Sequence, residues 1–134
     1  PEAIRTYWRL KTNVDSGLFE AVQLAGAAAL RGPRKHVEEM CSIYQRRRDL
    51  VVDALRAIGV EVEAPKGTIY IWAPVPRGQT STSFAELVLD KAAEVVSPGS
   101  ISGPSGEGFF RISLTTPDEL LSEAVERLRV HLAP

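Results

Sequence analysis

An α+β fold, with long helices leading into a small, mainly antiparallel sheet covered by helices, is what this sequence predicts. Three observations carry that expectation. Apolar residues recur at helical spacing through the first 58 positions. After Gly59 the period switches to alternation. Short segments of both kinds then interleave in the order β-β-α-β-β-α, which suits helices packed on one face of a modest sheet.

Taken in order, residues 1–10 predict a short helix with Pro1 in its favoured first turn. Residues 11–17 (Lys11, Thr12, Asn13, Val14, Asp15, Ser16, Gly17) are polar enough to predict a loop. Residues 18–30 are rich in alanine, with Leu18, Val22, Ala25 and Ala29 on one stripe. So apolar a helix is expected to be buried, and Gly32-Pro33 to end it. Residues 34–58 predict the longest helix, with Val37, Met40, Tyr44, Val51, Ala54, Leu55 and Ile58 on its apolar stripe and Gly59 as its stop. Its run Arg46-Arg47-Arg48 is read as a solvated face.

Beyond Gly59, residues 60–63 and 68–72 alternate as two strands around a turn at Pro65-Lys66-Gly67, and Pro74 and Pro76 end the second. Residues 77–83 are loop. Ser83 with Glu86 fits a capping box for a helix reaching Ala93. Residues 94–96 read as a brief strand, and residues 100–108 as a functional or flexible loop. Residues 109–114 alternate again. Thr116, Pro117 and Glu119 then have the pattern of a capped helix start, with Leu120, Leu121, Ala124, Val125 and Leu128 turned inward.

Composition narrows the function classes. With 134 residues, 44% hydrophobic and 25% charged, the chain can form one ordinary globular core. A net charge of −1 gives no basic footprint for nucleic acid and no attraction to an anionic membrane. No apolar run approaches the roughly 20 residues of a spanning helix. The single cysteine, Cys41, excludes an internal disulfide framework and suits a reducing cytoplasm. The absence of an initial Met suggests a piece excised from a longer cytosolic protein.

Arg111 is the residue with most chemical content. In Phe109-Phe110-Arg111-Ile112-Ser113-Leu114, alternation puts Phe110, Ile112 and Leu114 on one face and Phe109, Arg111 and Ser113 on the other. A guanidinium among aromatic and small neighbours can offer its planar fork to a carboxylate. On chemistry alone, an arginine on a half-exposed strand face is the favoured reading. His36 and His131 lack a third partner at ligand spacing, so no metal site is expected. Cys41, beside Met40, reads as a packed small hydrophobe. Ser16, Ser81 and Ser105 have no nucleophile-elbow context. The glycine-rich Gly103–Gly108 run lacks the Gly-Lys-Ser/Thr ending of a phosphate loop. Lys11, in a polar stretch, is not read as a Schiff-base lysine.

The ordered set of motifs resembles a known family. Pro1-Glu2-Ala3-Ile4 comes first. Lys11 through Phe19 follow, with Gln23, and then Tyr44 through Asp49. Gly67-Thr68-Ile69-Tyr70-Ile71-Trp72 with Val75-Pro76, Ser97-Pro98-Gly99 and Gly106 through Leu114 complete it. Together they are similar to the class I/II, fold type I, pyridoxal-phosphate-dependent aminotransferases, in particular the LL-diaminopimelate and aspartate or alanine aminotransferase group. Each motif alone is weak, but they cover nearly the whole chain in order.

The resemblance implies an α/β family fold. Residues 1–33 would be the end of the cofactor-binding large domain, and residues 34–134 the C-terminal small domain with its long linking helix. It implies that Arg111 grips the substrate α-carboxylate, that Asn13 reaches the distal end of the substrate near a dimer interface, and that Tyr70 sits near the substrate mouth, where packing is its expected part. The parent would use pyridoxal 5'-phosphate to move an amino group between an amino acid and a 2-oxo acid in amino acid biosynthesis. It would be a cytoplasmic homodimer with no nucleic-acid or membrane partner. The Schiff-base lysine and the other cofactor contacts would lie upstream, so the fragment alone is expected to be inactive. Ile101-Ser102-Gly103 departs from the family's usual Phe-Gly. Two other classes compete: an aminotransferase-like effector domain of a transcription regulator, and a stand-alone α+β interaction domain. The apolar helix of residues 18–30 argues against the second, because it wants a covering partner.

Overall fold

The computed structural model describes residues 1–133. They form two compact units, Pro1–Glu38 and the chain from Glu39 onward.

The first unit carries α1 (Glu2–Val14) and α2 (Glu20–Arg31). Glu2 in the first turn of α1 and Lys11 in the last both complement the helix dipole. The loop expected at residues 11–17 begins only after Val14. The polar side chains there bond back onto their own helix: Thr12 and Asn13 both donate to the Arg9 carbonyl, and Lys11 pairs with Asp15 one turn on. Arg31 ends α2 and Gly32 caps it, as expected. The expected burial of this helix is not met. No residue of α2 is buried, and Leu24 is 63% exposed. Alanine-rich apolarity reports that a helix needs cover, not that this chain contains the cover.

The long helix α3 (Lys35–Ala57) matches its sequence pattern. Gly59, at φ +84°, ends it with the Val60 N–H donating back to the Leu55 carbonyl at 3.0 Å. Its second half is buried through Val51, Val52, Ala54 and Leu55. Cys41, expected to be packed, is exposed: the buried residues of α3 begin only at Val51. The arginine run is not simply solvated either. Arg47 lies over Tyr44 and donates to the Leu114 carbonyl and to Asp118, while Arg48 donates to the Pro65 carbonyl and to Asp49.

The sheet comprises β1 (Tyr70–Pro74), β2 (Ser97–Pro98) and β3 (Phe109–Ser113) in the spatial order β1-β3-β2, antiparallel throughout. With α4 (Ser81–Ala92) and α5 (Asp118–Leu132) the order after α3 is β-α-β-β-α. The class is as expected, a mixed fold with a small antiparallel sheet, but one strand fewer is formed. At residues 60–63 Val60 and Val62 are buried and Glu61 and Glu63 exposed, so the alternation is real. It has no ladder to join, and the Val62 carbonyl accepts from the Arg56 guanidinium instead. Residues 94–96 are not a strand, and pairing starts only at Ser97.

Ile71 and Ala73 of β1 and Phe110 and Leu114 are fully buried against Leu55 of α3, Phe84 and Val88 of α4, and Leu121, Val125 and Leu128 of α5. Leu120, expected inward, is exposed. Both predicted caps also shift. Thr80 and Ser83, not Ser83 and Glu86, form the capping box of α4. Helix α5 starts after Pro117 with no side-chain cap, and Asp118 serves Arg47 instead.

Candidate functional site

The exposed face of the sheet presents Tyr70 and Trp72 from β1 and Phe109, Arg111 and Ser113 from β3. Alternation forces this, since their neighbours Ile71, Ala73 and Phe110 fill the core. Arg111 sits on the central strand, in register with Trp72 on one side and Ser97 on the other. Its guanidinium carbon lies 4.5 Å from the Tyr70 ring centroid, and one terminal nitrogen donates to Ser97 Oγ at 3.5 Å. Trp72 and Phe109 stack beside it with centroids 5.7 Å apart and planes 18° from parallel. Among the described residues no carboxylate pairs with Arg111, so most of its five N–H donors remain for a ligand. This is a cation held over an aromatic ring, with N–H donors left for an anion.

The segment feeding β3 is fixed by a carboxylate. Glu107 accepts from the Ser81 backbone N–H at 2.7 Å, from Ser81 Oγ at 2.8 Å and from the Gly108 N–H at 3.0 Å. The Ser81 N–H is a free amide at the start of α4, where the helix dipole also favours negative charge. These bonds, first the Ser81 N–H, then the Ser81 hydroxyl, then the Gly108 N–H, hold the Glu107 pKa below its ordinary value. Ser81, fully buried, also accepts from the Ser100 hydroxyl at 3.0 Å, since its own proton goes to Glu107. The region expected to be a loop is two ordered 3₁₀ turns, Gly99–Ser102 and Pro104–Gly106. They pack backbone to backbone: a Cβ on Gly99 or on Gly106 would collide with the carbonyl of the other.

The other predicted residues fall elsewhere. Asn13 is on α1 in the first unit, with its amide donating to the Arg9 carbonyl at 2.7 Å. His36 has a ring nitrogen 3.1 Å from the Pro33 carbonyl oxygen, and His131 is exposed. No group of three or more metal-ligating side chains occurs among the described residues. All four lysines, Lys11, Lys35, Lys66 and Lys91, are exposed. Sequence reasoning missed Glu107 because its partner is 26 residues away. It treated Tyr70 as packing, although its alternation with Ile71 already put it on the Arg111 face.

A family profile described as "Aminotransferase class I and II" matches residues 2–128. The LL-diaminopimelate aminotransferase of Moorella thermoacetica is 52% identical over 128 residues, covering 96% of this chain and 33% of that protein. That of Desulforudis audaxviator is 54% identical over 127 residues, covering 95% and 32%. Two solved structures superpose with TM-score 0.82. A probable N-succinyldiaminopimelate aminotransferase from Thermus thermophilus is 30% identical, with 98% of this chain and 35% of that chain covered. The LL-diaminopimelate aminotransferase from Chlamydomonas reinhardtii is 29% identical, with 97% and 32% covered. The chain thus spans about a third of the length of the curated relatives it matches.

Proposed function

The chain belongs to the aminotransferase class I and II family, and from that premise we propose that it is the C-terminal portion of a transaminase, supplying the arginine that holds the substrate α-carboxylate. The family's chemistry depends on pyridoxal 5'-phosphate, which serves as an electron sink when bound. The Schiff-base lysine for that group is placed by this reading outside the chain, whose four lysines are all exposed. Its attachment falls to other residues of the parent protein, and this chain alone is inactive.

The observation that carries the reading is the Arg111 guanidinium, laid on Tyr70 and unpaired with any carboxylate among the described residues. Two parallel N–H···O bonds to a substrate carboxylate would fix both its position and its plane, and so the direction of the Cα–H bond. Asn13 is the second substrate contact proposed, toward the distal end. Residues 1–33 then close the large domain, and residues 34–134 form the small one. The substrates are an amino acid and a 2-oxo acid. The identity to LL-diaminopimelate aminotransferases supports LL-diaminopimelate as the amino donor. The parent is read as a cytoplasmic homodimer.

The test is Arg111→Gln and Arg111→Lys in the full-length protein, assayed with LL-diaminopimelate. Gln should cost about 2–5 kcal/mol in kcat/KM, the loss typical of one charge-assisted bidentate contact. Lys should recover only part, because it cannot reproduce the fork. An unchanged kcat/KM in both variants would refute the assignment.

A further inference from the structure

We propose that Glu107 is a positioning residue for the Arg111 guanidinium, acting through the backbone that carries both Arg111 and Ser97. This inference rests on the carboxylate-binding reading of Arg111.

This one carboxylate ties the start of α4 to the entry to β3, and its two partners extend the link to two further segments. Glu107 accepts from the first amide of α4 and from the Ser81 hydroxyl. Through Ser81 it reaches Ser100, whose hydroxyl and N–H both donate to Ser81 Oγ, at 3.0 and 3.4 Å. Glu107 also takes the Gly108 N–H, and the Gly108 carbonyl accepts from the Val75 N–H at 2.9 Å, just past the end of β1. The clasp therefore joins the end of β1, the start of α4, the turn after β2 and the entry to β3.

Arg111 stands three residues beyond Gly108, and Ser97 three residues before Ser100. The two face each other in the β2–β3 register, and Ser97 is a hydrogen-bond partner of the guanidinium. The β2–β3 ladder is only two residue pairs long, Ser97 with Arg111 and Pro98 with Phe110. Pro98 has no N–H to contribute to it. So short a ladder fixes its register poorly by itself. The Gly99–Gly106 backbone contact and the Glu107 clasp supply what the ladder lacks, because they hold the two strand entries in one place. Without the carboxylate, the buried Ser81 hydroxyl and the Gly108 amide lose their acceptor, and the Ser97 side of the site is free to shift. An active-site group displaced by a fraction of an ångström to 1 Å loses much of its advantage.

The experiment uses the full-length protein with Glu107→Ala, Glu107→Gln and, in parallel, Arg111→Gln. KM and kcat are measured separately for the amino acid substrate. Glu107→Ala should raise KM about tenfold while changing kcat by less than about threefold, the pattern of weakened substrate binding. Glu107→Gln keeps an oxygen acceptor for the Ser81 amide and should fall between Ala and the native residue. If Arg111→Gln raises KM and neither Glu107 variant does, Glu107 is only a loop clasp and the inference is overturned. If Arg111→Gln leaves KM unchanged, the carboxylate reading fails and this inference fails with it.

Discussion

The Arg111 guanidinium carbon lies over the Tyr70 ring, 4.5 Å from its centroid, with both residues on the exposed face of the sheet. Tyr70 and Arg111 are on adjacent strands but are not register partners, since Tyr70 pairs with Ser113. The ring therefore reaches the cation diagonally, within the range over which long side chains on neighbouring strands meet.

That geometry separates the ring from the hydroxyl. Tyr70→Phe keeps the aromatic face and should leave the affinity for the substrate carboxylate within about twofold, whereas Tyr70→Ala should weaken it by about 0.5–1 kcal/mol, the worth of an exposed cation–π contact. Measuring KM for the amino acid in both variants of the full-length protein decides it. Equal losses in Phe and Ala would assign the effect to the hydroxyl.

The carboxylate of Glu107 makes acid sensitivity local. Its folded pKa lies below the ordinary value, so its contribution to stability is fully present at neutral pH. It fades as pH falls through that lowered folded value. A 13C titration of the Glu107 side-chain carboxyl should give a midpoint below the usual glutamate value of about 4.3. The clasp around Ser81 should loosen over the same range, seen as faster exchange of the Gly108 amide. A midpoint at or above the usual value would contradict the hydrogen bonds drawn to it.

Gly106→Ala should be severely destabilising. The new Cβ would meet the Gly99 carbonyl, a backbone atom that cannot move without breaking the turn after β2. A cost of about 3 kcal/mol or more is expected, at the top of the usual overpacking range. Gly67→Ala is the control, because a Cβ there meets nothing within 4 Å and no left-handed φ is required. Thermal melting of the two variants should differ by several degrees. Similar midpoints would mean that the two 3₁₀ turns are not packed as described.

What could be read from the sequence follows from which forces are local. The α3 pattern and its stop at Gly59 were legible because helical periodicity and a positive-φ cap both act within a few residues. Alternation at residues 109–114 put Arg111 and Phe110 on the correct opposite faces. Alternation misled at residues 60–63, since it reports one-sided burial and says nothing about a hydrogen-bonding partner. The Ser81–Glu107 clasp had no local signal: a buried serine and a distant glutamate become partners only once α4 and β3 are in place. The exposed Cys41 and the exposed α2 share one cause, for an apolar residue signals a need for cover without naming its source.

Ile4, Tyr7, Trp8, Leu18, Phe19 and Leu24 are all more than half exposed, with Phe19 at 75%. Soluble monomers rarely leave contiguous apolar surface beyond a few hundred Å² uncovered. The isolated 134-residue chain should therefore self-associate and bind a hydrophobic dye. Phe19→Glu and Leu24→Glu together should shift it toward monomer in size-exclusion chromatography. Because neither side chain contributes to the buried core, the double variant should keep its melting temperature, as surface substitutions usually shift stability by no more than about 0.5 kcal/mol each. A native chain that elutes as a clean monomer and binds no dye would show that these side chains find cover within one copy, against their exposure here.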